Sequence, residues 1–323
     1  MPSVICLGEL LIDFCAAEAD VSLAEASTFV KAPGGAPANV AVAVARLGES
    51  CGFVGAVGDD PFGEFLRNTV ARAGVDVSGL ATIDDVRTTL AFIAARSDGR
   101  KDIAFYRNPG ADMRLDVAHL DAEYLAQAEA FHFGSISRID AGPRAATDRA
   151  RRLAAEGGAM ISYDPNWRPS LWRDANAARE RILEGFDGAH VAKVSLEEWE
   201  FVTERADFSA GAGALLDRGV QLVVRSEGPD GASFATAQRS GHVDAFTVRC
   251  VEPTGAGDGA MACLIVELLA HWRRGVKLGD LDAAELTRII RRANAVGALA
   301  CTRVGAIPSL PTAREVDEFL RKQ

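Results

Sequence analysis

The chain has 323 residues, of which 48% are hydrophobic and 25% charged, and 45 acidic residues outnumber 35 Lys and Arg to give a formal net charge of −10. This composition is typical of a soluble globular protein with a large core, and the acidic balance argues against a protein that binds nucleic acid. No apolar run reaches the length of a membrane span, and no basic segment precedes an apolar run near the N-terminus as in a signal peptide, so we expect a cytoplasmic protein without a membrane partner.

The first element is a short apolar strand, Val4–Leu7, that ends at a glycine. Asp13 follows it among apolar neighbours. A carboxylate in such surroundings must be paired or must face a ligand, because burying an unpaired charge is costly. Asp13 is therefore a candidate ligand-binding residue, and an aspartate in a surface loop is the alternative.

A glycine-rich segment then leads into a Val/Ala-rich stretch that ends at Gly48. Pro37 near its start and the glycine just past its end favour a helix over a strand. Asn39 would lie in the first turn of this helix, beside backbone that a ligand could approach closely. Its amide could both donate to and accept from a hydroxyl group. An ordinary capped helix is the alternative.

Two β-rich runs, at 88–95 and 102–106, flank the hairpin signal Ser97-Asp-Gly-Arg100. Consecutive strands break the alternation of strand and helix and predict a small separate sheet that covers a site. Arg107 follows the second run and is a candidate ligand group, although a loop arginine is usually only solvated.

From about residue 117 onward, helix-like stretches alternate regularly with short apolar runs. The apolar runs lie at 130–134, 160–163, 190–194 and 220–224. This rhythm predicts a parallel sheet with helices on its faces, in which ligands bind at the carboxyl ends of the strands.

Polar residues gather directly after three of these runs. Arg168 follows the second, Ser195 and Glu198 follow the third, and the segment Ser226–Gly231 follows the fourth. Any one of these segments alone is compatible with a solvated turn. Their recurrence at successive strand ends favours a ligand-binding edge.

A second glycine-rich turn, Thr254–Gly259, opens a helix whose apolar residues recur at helical spacing over 260–272. The first amides of a helix have no internal partner and lie at the positive end of its dipole, and glycine lets an anion approach them. A carboxylate at this position would repel a bound phosphate. The presence of Asp258 there is explained if it takes a proton from the group that attacks the phosphate. We therefore interpret Gly255, Ala256 and Gly257 as an anion hole with Asp258 as its general base, and a simple helix cap is the alternative.

Several other classes of site are excluded by spacing. No Gly-Lys-Ser/Thr follows the glycines, so the turn is not a P-loop, and the glycine spacing does not fit a nicotinamide-binding fingerprint. The six cysteines form no Cys-x-x-Cys pair and the five histidines have no metal-ligand spacing, which argues against a disulfide framework or a zinc site.

Residues 34–48 and 254–259 resemble the N-terminal and C-terminal signatures of the PfkB, or ribokinase-like, carbohydrate kinases, and the likeness runs nearly from end to end. Within that family, the segments that look most like fructokinases are 105–113, 164–172, 293–300 and 305–308.

The resemblance implies a fold. We expect a three-layer α/β/α domain that spans residues 1–323, with a central, mostly parallel sheet. A small β-sheet lid would be contributed by residues from about 10–32 and 88–110. Relatives often pair through their lids, so the resemblance also implies a homodimer.

The resemblance further implies transfer of the ATP γ-phosphate to a primary hydroxyl of a sugar, with D-fructose giving fructose 6-phosphate and Mg²⁺ as cofactor. Asp258 would be the base and the amides of Gly255, Ala256 and Gly257 the anion hole. The implied sugar ligands are Asp13, Gly34, Gly35, Asn39, Arg107 and Arg168. The implied nucleotide ligands are Ser195, Ser226, Gly228, Gly231 and Asn294. Glu198 would influence Mg²⁺ indirectly, through water.

Two positions depart from the family pattern. Ser195 stands where the Asn-x-x-Glu motif has its asparagine, which puts that phosphate contact in doubt. Glu252 and Pro253 stand where an Asp and a Thr are common, in a segment that binds a monovalent cation in many relatives. The resemblance therefore implies K⁺ only if this altered segment still binds it. The alternatives to a fructokinase are a 2-keto-3-deoxygluconate kinase, another sugar kinase of the family, and a sugar-binding protein without catalysis.

Overall fold

The computed structural model describes residues 1–95 and 101–323, and the strands of this part form two sheets. In chain order they are β1 (Val4–Leu7), β2 (Leu11–Ala16), β3 (Phe29–Gly34), β4 (Cys51–Gly58), β5 (Val75–Asp76), β6 (Leu80–Ile83), β7 (Leu90–Ala95), β8 (Lys101–Tyr106), β9 (Ala130–Phe133), β10 (Met160–Tyr163), β11 (Val191–Ser195), β12 (Leu222–Ser226), β13 (Ala232–Ala235) and β14 (Ser240–Val243).

The helices follow the predicted alternation with the strands of the larger sheet. They are α1 (Ala36–Arg46), α2 (Pro61–Arg72), α3 (Ala122–Ala126), α4 (Ala141–Glu156), α5 (Ala175–Phe186), α6 (Leu196–Thr203), α7 (Phe208–Leu216), α8 (Ala256–Trp272), α9 (Ala283–Cys301), α10 (Ala306–Ser309) and α11 (Ala313–Leu320). Within the described residues, no helix combines the length and the apolar sequence that a membrane span needs.

The larger sheet has the order β14-β13-β12-β11-β10-β9-β1-β4-β5, with β6 also paired to β4. All neighbours from β12 to β5 are parallel, which confirms the predicted mostly parallel sheet. Only β13 and β14, at one edge, run antiparallel to their neighbours. The sequence analysis did not identify these two strands, because they are short and carry polar residues.

Helices cover both faces of this sheet, as the alternation along β1 illustrates. Val4 and Cys6 point into a core shared with α1, α8 and α9, whereas Ile5 and Leu7 point into a core shared with α4, α5 and α6. Successive side chains of a strand lie on opposite faces, so one strand contributes to both cores. The three-layer α/β/α fold is therefore confirmed.

The smaller sheet has the order β3-β2-β7-β8. Its outer pairs are antiparallel, and the central pair of β2 and β7 is parallel. The small β-sheet lid is thus present, built from strands at 11–34 and 90–106. The hairpin signal Ser97–Arg100 lies outside the described residues.

The two glycine-rich helix starts meet on the same side of the sheet because α1 and α8 pack against each other. Both helices are largely buried, and their apolar residues belong to one core. The first turn of α1 therefore faces the first turn of α8.

Candidate active site

Asp258 lies in the first turn of α8 and is buried, with 8% of its surface exposed. Its Oδ2 accepts a hydrogen bond from Nδ2 of Asn39 at 2.8 Å, and its Oδ1 accepts from Nδ2 of Asn166 at 3.2 Å. The N-cap position of α8 is occupied by Gly255, and among the described residues the carboxylate of Asp258 accepts hydrogen bonds from these two asparagine side chains and from no backbone amide. The structure therefore brings Asp258 and Asn39 together, and the helix-cap alternative does not describe this side chain.

The surroundings of Asp258 favour its protonated form. Burial raises its pKa above the ordinary value for aspartate, and the nearby Asp164 raises it further. The hydrogen bond from Asn39 and the charge of Lys193 act in the opposite direction. A carboxylate with a raised pKa accepts a proton more readily than an exposed aspartate.

Glycine is required at position 255 but not sterically at position 257. Gly255 has φ of 83°, in the left-handed region, and a Cβ there would lie 3.0 Å from Cα of Ala306. The first atom that a Cβ on Gly257 would meet is Nζ of Lys193, at 3.5 Å. The protein itself therefore leaves open the space in front of Gly257. The amide of Ala256 donates to the carbonyl of Pro253 at 3.1 Å, so the predicted anion hole relies chiefly on its neighbours.

Lys193 and Asp164 form a buried ion pair beside this turn, and the sequence analysis missed both residues. Nζ of Lys193 lies 2.7 Å from Oδ2 of Asp164, and each side chain is 5% exposed. Burial alone would lower the pKa of Lys193, but the neighbouring carboxylates outweigh it and raise the pKa. The available signal was a lysine within the apolar strand β11, since a buried ammonium group needs a carboxylate partner.

Ser195 and Glu198 form a capping box at the start of α6. Oε2 of Glu198 accepts from the amide of Ser195 at 3.1 Å and from its hydroxyl at 2.9 Å, and the amide of Glu198 donates back to that hydroxyl. Oε1 of Glu198 accepts from the amide of Trp167, in the loop after β10. Burial raises the pKa of Glu198. The pair therefore joins α6 to the loop that carries Asn166.

Glu198 is the one residue with a predicted role in Mg²⁺ binding, and that role is indirect, through water. Among the described residues, no group of three or more His, Cys, Asp or Glu side chains could hold a metal ion. Mg²⁺ usually keeps several waters and is held by one or two carboxylates together with substrate phosphates. The carboxylates of Glu198 and Asp164 fit that mode of binding, and the described residues provide no protein cage.

Asp13 and the glycines of the first signature pack tightly against each other. A Cβ on Gly34 would lie 2.2 Å from Oδ2 of Asp13, and a Cβ on Gly35, which has φ of 108°, would lie 2.3 Å from the carbonyl of Glu9. Gly35 is therefore required by the close approach of the segment before β2, whereas a side chain at position 34 would have to displace the carboxylate of Asp13. Asp13 lies on the lid strand β2, directly after its two buried residues, and is itself partly exposed.

Glu9 is a buried acid that the sequence analysis did not select. Its Oε1 accepts from the amide of Ala36 at 2.9 Å, at the start of α1, and its Oε2 is buried without a partner in the structure. Burial raises the pKa of Glu9 to about 7. The available signal was its place between two apolar runs, where a carboxylate needs a specific contact.

The two predicted arginine ligands differ in how their charge is balanced. Arg107 is buried and pairs through Nε with Asp112 at 2.7 Å and through Nη1 with Asp140 at 3.2 Å. Its Nη2 is buried and has no hydrogen-bond partner among the residues that the structure describes. Arg168 is partly exposed, donates to the carbonyl of Trp167 at 3.1 Å, and lowers the pKa of Asp258.

The predicted nucleotide residues lie at the far end of the larger sheet. Ser226 pairs in register with Ser195 at the carboxyl ends of β12 and β11. A Cβ on Gly231 would lie 2.1 Å from the carbonyl of Val243, so this glycine is needed for the turn into β13. Nδ2 of Asn294, on α9, donates to the carbonyl of Val243 at 2.9 Å.

The predicted roles of Gly228 in nucleotide binding and of the segment at Glu252 in K⁺ binding stay predictions. Gly228 has φ of 58° in the short turn after β12. Glu252 accepts through Oε2 from the amide of Gly305 at 2.8 Å and so joins the loops before α8 and α10. The predicted K⁺ site in this segment is not tested by that contact.

A three-layer domain with a β lid, a glycine-rich helix start that faces solvent and a buried carboxylate beside it defines a kinase of the ribokinase-like class. The chain belongs to the pfkB family of carbohydrate kinases, whose family model matches residues 1–313.

The chain is similar to plant enzymes named fructokinase over nearly its full length. It is 42% identical to fructokinase-1 of Zea mays, over 99% of this chain and 98% of that one. It is 44% identical to fructokinase-1 of Oryza sativa subsp. japonica, over 97% of this chain and 96% of that one.

Solved structures give the same result. A fructokinase from Xylella fastidiosa, with bound ATP, superposes with a TM-score of 0.91 at 34% identity and covers 100% of this chain and 99% of its own. An aminoimidazole riboside kinase from Salmonella enterica superposes with a TM-score of 0.83 at 31% identity, and the match covers 98% of this chain and 99% of that one.

Proposed function

We propose that this protein is an ATP-dependent fructokinase that converts D-fructose to fructose 6-phosphate. The observation that carries the proposal is the buried carboxylate of Asp258, held by two asparagine amides at the open start of α8. The similarity to enzymes named fructokinase supports fructose as the sugar. The relative solved with bound ATP supports ATP as the donor.

In this mechanism, Asp258 accepts the proton of the attacking primary hydroxyl while the phosphoryl group moves to that oxygen. Phosphoryl transfer depends mainly on positioning and on stabilising charge. The backbone amides of Gly255 and Gly257, at the positive end of the α8 dipole, would donate to the transferring group. Asn39 and Asn166 would hold the carboxylate in line with the hydroxyl.

Mg²⁺ supplies charge neutralisation across the nucleotide phosphates when it is bound. Glu198 would act on it through water, and Asp164 lies close enough to Glu198 to raise its pKa. Ser195, Ser226 and Gly228 would line the nucleotide phosphates at the carboxyl ends of β11 and β12.

The sugar would bind between the lid and the start of α1. Oδ1 of Asn39 and Nη2 of Arg107 are buried and find no partner within residues 1–95 and 101–323, and an unused acceptor and an unused donor of this kind suit sugar hydroxyls. The carboxylate of Asp13, held against Gly34, would accept from a further hydroxyl.

The charge around Arg107 favours a neutral sugar over 2-keto-3-deoxygluconate, which carries a carboxylate. Asp112 and Asp140 already balance the guanidinium of Arg107, and Asp13 adds another carboxylate to the predicted sugar site. A carboxylate substrate would therefore meet a site without spare positive charge from Arg107.

We expect D-fructose to give the highest kcat/KM in a coupled ADP-release assay over fructose, 2-keto-3-deoxygluconate, ribose and nucleosides. The expected preference over 2-keto-3-deoxygluconate is at least about tenfold, because a substrate carboxylate would have to share Arg107 with Asp112 and Asp140 and would otherwise meet only the partly exposed Arg168. A higher kcat/KM for 2-keto-3-deoxygluconate would refute fructose as the substrate. Thermal stabilisation by fructose without turnover of ATP with any sugar would instead indicate a sugar-binding protein.

We further propose that two copies pair through their lids. Val30, Cys15, Ile93 and Ile103 lie opposite one another across the four lid strands, so their side chains form one apolar row on a single face. Val30 is 59% exposed and the other three are partly exposed. The lid of a second copy is the partner that this self-complementary face suits.

Light scattering is expected to give twice the chain mass of 34.2 kDa for the native protein and a single chain mass for Val30→Glu. The charge placed on the apolar row would be buried in the dimer without a partner, which costs several kcal/mol. Val117→Glu, at another exposed apolar position, is the matched control and should remain a dimer. A monomeric native protein would contradict the proposal.

A further inference from the structure

Lys193 has more hydrogen-bond donors than the protein uses. Its ammonium group carries three N–H bonds, and within the described residues only Asp164 accepts from it. The group is buried, so water does not readily satisfy the other two. Unused donors on a buried cation are costly unless a ligand accepts from them.

The unused donors lie beside the open start of α8. Nζ of Lys193 is the first atom that a Cβ on Gly257 would meet, at 3.5 Å. The side chain also interacts electrostatically with Asp258. The ammonium group, the proposed anion-hole amide and the proposed base therefore surround the same space.

The charge around this space is negative overall, so an anion that binds there must bring its own cation. Lys193 lies near three buried carboxylates, those of Asp164, Glu198 and Asp258. Asp164 takes one hydrogen bond from the ammonium group, and the carboxylates of Glu198 and Asp258 take none from it. A phosphate oxygen accompanied by a divalent cation could reach Lys193 without adding net negative charge.

We propose that Lys193 is a catalytic residue that donates directly to the transferring γ-phosphoryl group while Asp164 holds it in place. The step rests on the proposed kinase activity. A bond forms between the sugar oxygen and the γ-phosphorus, and the bond from that phosphorus to the bridging oxygen breaks to release ADP. The hydroxyl proton goes to Asp258, and Lys193 keeps its proton throughout.

The alternative is that Lys193 only neutralises Asp164. A double-mutant cycle separates the two roles, because removing one partner of a buried ion pair leaves an unpaired charge, whereas removing both does not. Lys193→Met keeps the length of the side chain without its charge, and Asp164→Asn keeps the shape of its partner. If Lys193 only neutralises Asp164, Lys193→Met should leave kcat unchanged when it is made in the Asp164→Asn background.

We expect Lys193→Met to lower kcat at least about a hundredfold in the native background, as for the loss of one preorganised donor, and at least about tenfold in the Asp164→Asn background, where the lysine has already lost the carboxylate that positions it. The melting temperature should fall in Lys193→Met and recover in the double variant, because the unpaired charge is gone. A change in kcat of less than about threefold when Lys193→Met is made in the Asp164→Asn background would overturn the proposal.

Nucleotide affinity provides a second readout that does not require turnover. Calorimetry with Mg²⁺ should show that Lys193→Met weakens binding of the non-hydrolysable ATP analogue AMP-PNP at least about tenfold more than binding of ADP, because ADP lacks the γ-phosphate. Equal weakening of both would overturn the assignment to that phosphate. The kinetic cycle is run with whichever sugar the native protein phosphorylates, so a failure of fructose as substrate and a failure of Lys193 as a catalytic residue give different results.

Discussion

Asp258→Asn is expected to lower kcat at least about a hundredfold, the usual contribution of a positioned general base. The amide cannot accept the proton of the attacking hydroxyl, although it has the size of the carboxylate. Sugar binding should survive, since the other predicted sugar ligands lie on α1, on the lid and in the loops after β8 and β10. The coupled ADP-release assay measures the loss of turnover, and sugar-induced thermal stabilisation measures the binding that remains.

The matched control for this variant is Asp282→Asn at the start of α9. Asp282 is a conventional helix cap, whose Oδ1 accepts from the amide of Glu285 at 2.8 Å. If Asp258 were only a cap, both variants would keep nearly native stability and activity, because asparagine caps a helix about as well as aspartate. Near-normal turnover in Asp258→Asn would rule out the proposed base.

Gly257→Ala is expected to abolish most activity without loss of stability. The added methyl group would meet only Nζ of Lys193, at an ordinary contact distance of 3.5 Å, and alanine in a helix is favoured over glycine by about 0.5–1 kcal/mol. The same methyl group would fill the space through which a phosphate oxygen approaches the amides of α8. A misplacement of about 1 Å can cost about a hundredfold in rate, so we expect at least that loss in kcat/KM for ATP.

Two other glycines provide the controls. Gly255→Ala forces a non-glycine residue to adopt φ of 83°, 3.0 Å from Ala306, so stability and activity should fall together. Gly213→Ala on α7 meets nothing within 4 Å and should raise stability without changing turnover. Chemical denaturation and the ADP-release assay distinguish these three results. Full activity in Gly257→Ala would contradict an anion hole at this turn.

Features with a local cause could be predicted from the sequence. The parallel strands were visible as apolar runs between helical stretches, and the two glycine-rich helix starts were visible as segments. The meeting of Asn39 and Asp258, 219 positions apart in the chain, depends instead on the packing of α1 against α8. Periodicity contains no information about that packing, so only the family resemblance suggested it.

The residues that the sequence analysis missed are charged groups inside apolar segments. In the sequence, Lys193 is a single charge within the apolar strand β11. The structure explains it by placing Asp164, from the loop after β10, beside it. Glu9 likewise has its partner on another element, because it accepts a hydrogen bond from the amide of Ala36 at the start of α1. A pattern of residue types shows that a buried charge needs a partner, but only the three-dimensional arrangement shows which one.

The sequence pattern formed by Ser195 and Glu198 has two interpretations. Ser-x-x-Glu before an apolar run is the pattern of a capping box, which these residues form. The same residues also stand at a strand end where ligands bind in folds of this type. Their contribution to nucleotide binding stays a proposal.

One of the connections between the two sheets consists of three residues, Gly8, Glu9 and Leu10, between β1 and the lid strand β2. The side chain of Glu9 holds the first turn of α1, and that turn holds Asp258 through Asn39. A rotation of the lid about this link therefore also shifts the hydrogen-bond chain that orients the base. A sugar that draws the lid toward α1 would therefore act, through Glu9 and Asn39, on the carboxylate of Asp258 itself.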